Sequence, residues 1–303
     1  MYINGIFYDE SQYNVKSGTA VGTDAETADV SGSASKKSVF TGYFDKTYSY
    51  DGKIDDSIQR DIGNCWLLSD AKALQNTDFG EQAIKDAIDY DHDGSEIDPF
   101  EVVIYNSFGE KQTIKVTNSD MEKYLNTNKK YSKGDGDTRL LEAAVAKYFV
   151  QEIEAGRMKD RSADDPLEGS PFGKYSLNYM LTGKLPHGLT SYEIKPENAE
   201  LFDKLTEEGV DEIMNKYADN PRNMAMSVAF KDRTLFEKLF GNTSREQQDS
   251  KHAFTILGVS KNDNGDIVSV TYSNPHNSSV KHNIPYEKFK KIVVQMEYQS
   301  GDN

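Results

Sequence analysis

The chain has 303 residues, with 50 acidic against 35 basic side chains, a net charge of −15 and a pI of about 4.8. A surface of that sign repels phosphate backbones and anionic lipid, so nucleic acid and charged membranes are poor partners. One cysteine excludes an intrachain disulfide framework and a Cys-rich zinc cluster, and no apolar run approaches the ~20 residues of a membrane span.

The length suggests one large domain or two smaller ones. The N-terminus lacks a basic stretch followed by an apolar run, so no standard signal peptide is expected. That fits a cytoplasmic protein, export by a non-standard route, or a domain of a longer chain.

Residues 1–13 hold a short apolar-aromatic segment that reads as a strand or hairpin, and 14–38 are rich in Ser, Gly, Thr and Ala, as in a flexible linker. Segment 1–38 is therefore expected to be a removable tail or a self-cleaved pro-piece, with the folded body starting near Val39. From Cys65 to about residue 89 the apolar spacing is helical, and 100–105, a Gly109 turn and 112–116 read as a β-hairpin. A helix is expected over 138–155 with Thr138 as its cap, and another over 175–181, ending at Gly183.

Helical patterns near 197–205 and 209–217 precede a buried-strand pattern at 225–230. Strands follow at 252–259, 267–273 and 282–285, the first two joined by an Asn264-Gly265 hairpin turn, and a helix over 286–296 closes the chain. The expected class is α+β, with a helical part over 39–188 and a β-rich part over 189–303.

The chemistry centres on Gln59-Arg60-Asp61-Ile62-Gly63-Asn64-Cys65-Trp66-Leu67-Leu68, which carries the only Cys and the only Trp. Turn formers before Cys65 and apolar residues after it put the thiol at a helix N-terminus, where the helix dipole lowers a thiol pKa and favours the nucleophilic thiolate. Taken alone, a cysteine beside Trp66, Leu67 and Leu68 reads first as a small buried hydrophobe. If the loop folds back, the Gln59 amide and the Cys65 N–H converge as an oxyanion hole. His252 opens one strand of the hairpin and Asn274 ends the other, so the two become neighbours although they are 22 positions apart in the sequence. An Asn oxygen on the imidazole fixes its tautomer and leaves the other ring nitrogen for a thiol.

These motifs resemble those of the calpain family of papain-like cysteine proteases. The cysteine motif, Lys251-His252-Ala253-Phe254-Thr255-Ile256-Leu257-Gly258-Val259, Asn274-Pro275-His276, Leu140-Leu141-Glu142-Ala143-Ala144-Val145-Ala146-Lys147 and Thr182-Gly183-Lys184 run in the family's order over residues 44–297. The resemblance implies a two-lobed papain-like fold and an endopeptidase acting through a thioester. It makes Cys65 the nucleophile, His252 the base and then the acid, Asn274 the orienting group and Gln59 the oxyanion donor, with Gly183 and Trp66 binding a protein or peptide substrate. His276 stands where the family has tryptophan, Lys251 and Lys184 where it has glycine, so a wetter Asn–His pair is expected. Two alternatives remain: a catalytically silent peptide- or calcium-binding module, and another cysteine acyl-transfer enzyme on the same scaffold.

Calcium is the cofactor to weigh, and no organic cofactor is indicated. Asp89, Asp91 and Asp93 alternate before Gly94 like half a calcium loop, though the distal acid position holds Phe100. A plain acidic turn reads equally well. By the resemblance, Gly52, Asp56 and Glu142 would form a core calcium site that helps place Gln59. The family's second core site is expected to be absent, because 277–283 hold no carboxylate.

Overall fold

A computed structural model describes residues 51–88, 99–117, 119–121, 123, 131–169, 171–194, 196–231 and 252–302, together with the backbone of the short strands at 2–3, 6–7, 38–40 and 48–50. The chain divides into two compact units, Met1–Ser35 and Lys36–Asn303. In the first, β1 (Tyr2–Ile3) pairs antiparallel with β2 (Ile6–Phe7). Most of the expected linker lies outside the described residues.

The second unit is α+β. It opens on the hairpin of β3 (Ser38–Phe40) and β4 (Tyr48–Tyr50), then β5 (Ser57–Ile58) leads to α1 (Cys65–Gln75). The helical pattern of 65–89 breaks at Thr77, whose hydroxyl accepts the Gly80 N–H at 3.1 Å and caps α2 (Asp78–Ala87). The hairpin of β6 (Phe100–Tyr105) and β7 (Lys111–Val116) forms as its alternation dictates. β8 (Lys133–Gly134) pairs with β5 and leads into the long α3 (Gly136–Glu154). The cap of α3 is Asp135, whose carboxylate accepts the Thr138 N–H at 2.6 Å; Thr138 is already inside the helix. The short α4 (Leu177–Thr182) is capped by Ser176 and ended by Gly183.

The rest of the chain builds a seven-stranded sheet in the order β10-β9-β15-β11-β12-β13-β14. Its strands are β9 (His187–Thr190), β10 (Phe202–Lys204), β11 (Met224–Phe230), β12 (Ala253–Lys261), β13 (Ile267–Asn274), β14 (Asn277–Pro285) and β15 (Val293–Ser300). Only β9 and β10 run parallel. Two helices pack with it, α5 (Glu207–Asp219) and α6 (Tyr286–Ile292).

Two expectations fail here. Residues 197–205 hold a 3-10 turn and β10 rather than a helix, and the closing helix stops at Ile292 so that 293–300 become β15. In the second case β-branched Val293 and Val294 and the alternation to Met296 and Tyr298 override the helical reading, because the segment fills the gap between β9 and β11.

The apolar residues form two clusters. One runs from Ile54 to Leu181 with Ala225, around Trp66, Leu67, Leu140 and Phe149; the other runs from Leu189 to Met296, around Phe230, Phe254, Tyr272 and Phe289. Each fully buried Leu or Phe contributes about 1.5–3 kcal/mol. α1 joins the two clusters. The Thr255 hydroxyl donates to the Ser69 carbonyl at 2.9 Å and the Ser227 hydroxyl to Asp70 at 3.0 Å, so β11 and β12 lie along one side of the helix. Asp70 and Glu297 are both buried, and Asn178 donates to Glu297 at 3.5 Å. Burial pushes both carboxyls above their ordinary range, and the neighbouring Asp70 raises Glu297 further.

Candidate active site

Asn64 and Cys65 stand at the start of α1, where the Asn64 carbonyl accepts the N–H groups of Leu67 and Leu68 at 3.0 and 3.3 Å. On α1, Ser69 stands one turn after Cys65 on the same face, and Asp70 follows Ser69. The interactions of Ser69 with Thr255 and of Asp70 with Ser227 therefore also bring Cys65 to the start of β12. There the Ala253 N–H donates to Cys65 Sγ at 3.4 Å. Ala253 follows His252, so sulfur and imidazole come from adjacent backbone.

The β12–β13 ladder brings the ends of the hairpin together, and His252 Nε2 lies 2.8 Å from Asn274 Oδ1. The amide oxygen can only accept, so Nε2 carries the proton and Nδ1 keeps a lone pair. The turn after Asn274 is braced by the His276 N–H, which donates to the same oxygen at 3.0 Å. The His276 ring then stacks on His252, with centroids 4.5 Å apart and planes 12° apart, while Phe254 meets His252 edge-on at 4.9 Å. The wet Asn–His pair expected from the missing tryptophan is not what forms: Asn274 is buried, and one imidazole covers the other. Lys251 lies outside the described residues.

Gln59 reaches the same place from the other side. Its backbone N–H donates to the Pro275 carbonyl at 2.7 Å, which fastens the nucleophile loop to the Asn274-Pro275-His276 turn. Its side-chain nitrogen donates to Ile62 O at 2.8 Å, and a second N–H on that nitrogen is available to an oxyanion. Its Oε1 is buried without a hydrogen-bond partner among the described residues. The four groups read from the sequence are thus tied together pairwise: His252 to Asn274, Gln59 to the turn after Asn274, and Cys65 to Ala253, the residue after His252.

The electrostatics differ from the helix-dipole expectation. Burial pushes the Cys65 thiol up, and the backbone N–H groups of Ala253, Trp66 and Cys65 pull it back only in part. Burial first, then the neighbouring His276, holds His252 down to about 3, against a smaller upward pull from Asn274. At neutral pH the resting pair is therefore thiol and neutral imidazole.

Other expected residues have different roles. Trp66 is 5% exposed, stacked on Phe149 at 5.9 Å, and its indole N–H donates to Leu167 O at 3.1 Å, so its ring belongs to the core rather than to a substrate groove. Gly183 has φ +72° as the left-handed cap of α4, and an added Cβ would stand 2.9 Å from the Tyr105 ring. That accounts for its glycine without a ligand.

The calcium set does not assemble. Glu142 is 1% exposed; its oxygens accept from Asn64 Nδ2, the Ser132 N–H (3.2 Å) and the Ser132 hydroxyl (2.5 Å). Asp56 instead pairs with Lys72 at 3.2 Å, beside the Ser278 hydroxyl. Among the described residues, no group of three or more His, Cys, Asp or Glu side chains is arranged to hold a metal ion. The residues present do not fit the group the resemblance implied. Asp89, Asp91 and Asp93 lie outside the described residues.

Sequence reasoning missed three contributors. The Ala253 N–H is backbone and has no signature. The 167–169 segment sits against the nucleophile loop, with the Gly63 N–H donating to Glu168 at 3.0 Å and the Gly169 N–H to Gly63 O at 3.2 Å, a contact between distant loops. The Asn64–Glu142 bond was the most legible, since Asn64 adjoins Cys65. No family model matches the chain, and no curated protein matches its sequence.

Proposed function

We propose that the protein is a calpain-like cysteine endopeptidase with a papain-like two-lobed architecture, its lobes being the two apolar clusters and its cleft lying where α1 meets β12. The observation that carries this reading is the His252–Asn274 bond at 2.8 Å beside a cysteine whose sulfur accepts the N–H of the next residue, Ala253, at 3.4 Å. A core cysteine that merely fills space needs no imidazole of fixed tautomer beside it.

In the reaction, a substrate carbonyl approaches Sγ, and His252 Nδ1 takes the thiol proton as the S–C bond forms. The imidazolium is stabilised through its Nε2–H bond to Asn274. The tetrahedral oxygen is met by the Cys65 N–H and the Gln59 amide. Collapse breaks the C–N bond, His252 gives its proton to the leaving amine, and a thioester remains. Water, deprotonated by the same nitrogen, hydrolyses it and restores the thiol. No step is assigned to calcium.

A second reading has one observation in its favour. Cys65 is 6% exposed and its thiol is raised by burial, as suits a silent peptide-binding module. Epoxide labelling with mass spectrometry, followed by digestion of unfolded casein, separates the two. Label on Cys65 that is lost in His252→Ala, with casein cleavage lost in Cys65→Ala, supports the peptidase; an inert Cys65 with no cleavage refutes it.

A further inference from the structure

Asn64 is the N-cap of α1, yet its side chain makes no capping bond to the helix. An N-cap asparagine ordinarily offers its oxygen to the N–H two or three residues into the helix. Here the side chain is turned away, with Nδ2 donating to Glu142 inside the protein, where Asn64 and Glu142 are each 1% exposed. Glu142 cannot swing aside. The Ser132 N–H and hydroxyl hold its two oxygens, and Ser132 leads directly into β8, which pairs with β5 just before Gln59.

The consequence falls on the first turn of α1. The Leu67 N–H is already bonded to the Asn64 carbonyl at 3.0 Å. The N–H of Trp66, the residue after Cys65, is one of the first-turn groups with no carbonyl of α1 to take it, and it pulls the Cys65 thiol down, as do the N–H of Cys65 and that of Ala253, which donates to Sγ at 3.4 Å. A released Asn64 oxygen would take the Trp66 N–H, the one vacancy a capping side chain has left to fill.

We propose that Glu142 is a positioning residue which diverts the Asn64 side chain from capping α1 and so reserves the Trp66 N–H for the Cys65 sulfur. The proposal rests on Cys65 being the nucleophile of the function proposed above. Glu142 lies on α3 and acts only through Asn64.

The test is the rate of Cys65 alkylation by iodoacetamide on the full folded chain, which needs no peptide substrate, beside kcat and KM on a peptide. Glu142→Ala frees Asn64, and both alkylation and kcat are expected to fall roughly tenfold to a hundredfold with KM little changed. Adding Asn64→Ala to that variant removes the competing oxygen and is expected to return most of the alkylation rate. Glu142→Gln, which keeps an acceptor for Asn64, is expected to lie between wild type and Glu142→Ala. A merely structural Glu142 would make the double variant as slow as the single one or slower.

Alkylation that is unchanged or faster in Glu142→Ala, or a double variant without recovery, overturns the proposal. If Glu142→Ala does not fold, Glu142→Gln with and without Asn64→Ala decides by the same criteria. Wild-type protein that cleaves no peptide while these alkylation effects appear would refute the peptidase and leave the positioning role standing. Cleavage with no alkylation effect would do the reverse.

Discussion

Replacing Asn274 by alanine removes one oxygen that accepts from His252 Nε2 at 2.8 Å and from the His276 N–H at 3.0 Å. In the resting protein the first bond joins two neutral groups and is worth about 1 kcal/mol net; in the proposed reaction, where His252 takes the thiol proton, the donor becomes charged and the bond is worth about 1.5–3 kcal/mol. Only the difference, about 1–2 kcal/mol, acts on the barrier, which gives roughly a 5- to 30-fold fall in kcat. KM should hardly move, since the amide faces the imidazole rather than the substrate. Single-turnover acylation of Asn274→Ala with a fluorogenic peptide amide, measured beside a thermal melt, reads this directly. A rate within about twofold of wild type in a folded variant, or a raised KM at unchanged kcat, would refute the orienting role.

Three further outcomes are expected. His276→Ala removes the second-ranked cause that holds His252 low, so the acid limb of kcat/KM should move to higher pH; an unmoved limb means the stacked ring does not tune the base. Asp70 and Glu297 hold protons more tightly in the fold than in the unfolded chain, where such acids titrate near about 4. The folded state therefore binds more protons above that pH, and stability drains away as pH rises. Glu297→Gln should flatten this decline in melting temperature between pH 5 and 8, whereas curves parallel to wild type would count against it. Gly183→Ala forces a side chain into φ +72° against Tyr105, costing about 1–2 kcal/mol in melting studies with KM unchanged; a raised KM at unchanged stability would return Gly183 to a substrate groove.

The sequence made the site more legible than its surroundings. Cys65 and Gln59 share one loop, and His252 and Asn274 occupy the two ends of one hairpin, so local pattern and a turn at Asn264-Gly265 suffice to bring each pair together. What the pattern does not carry is desolvation. The helix N-terminus promised a lowered thiol, and burial between two apolar clusters reversed the sign. Trp66 and Glu142 were misread for the same reason: their partners, Leu167 and Ser132, are brought in by tertiary packing that no spacing encodes. The expected closing helix runs on through 293–296 because the apolar residues there suit either period, and only the empty place between β9 and β11 decides.

That place has a consequence for how the protein is made. β15 is translated after every other described strand of the large sheet, yet it lies between β9 and β11 and hydrogen-bonds to both. Until it emerges from the ribosome, β11 to β14 have no strand to join them to β9 and β10, and β11, which borders the ladder leading from His252, lacks its own neighbour on the far side. The sheet that backs the β12–β13 ladder would thus be completed only as synthesis nears residue 300.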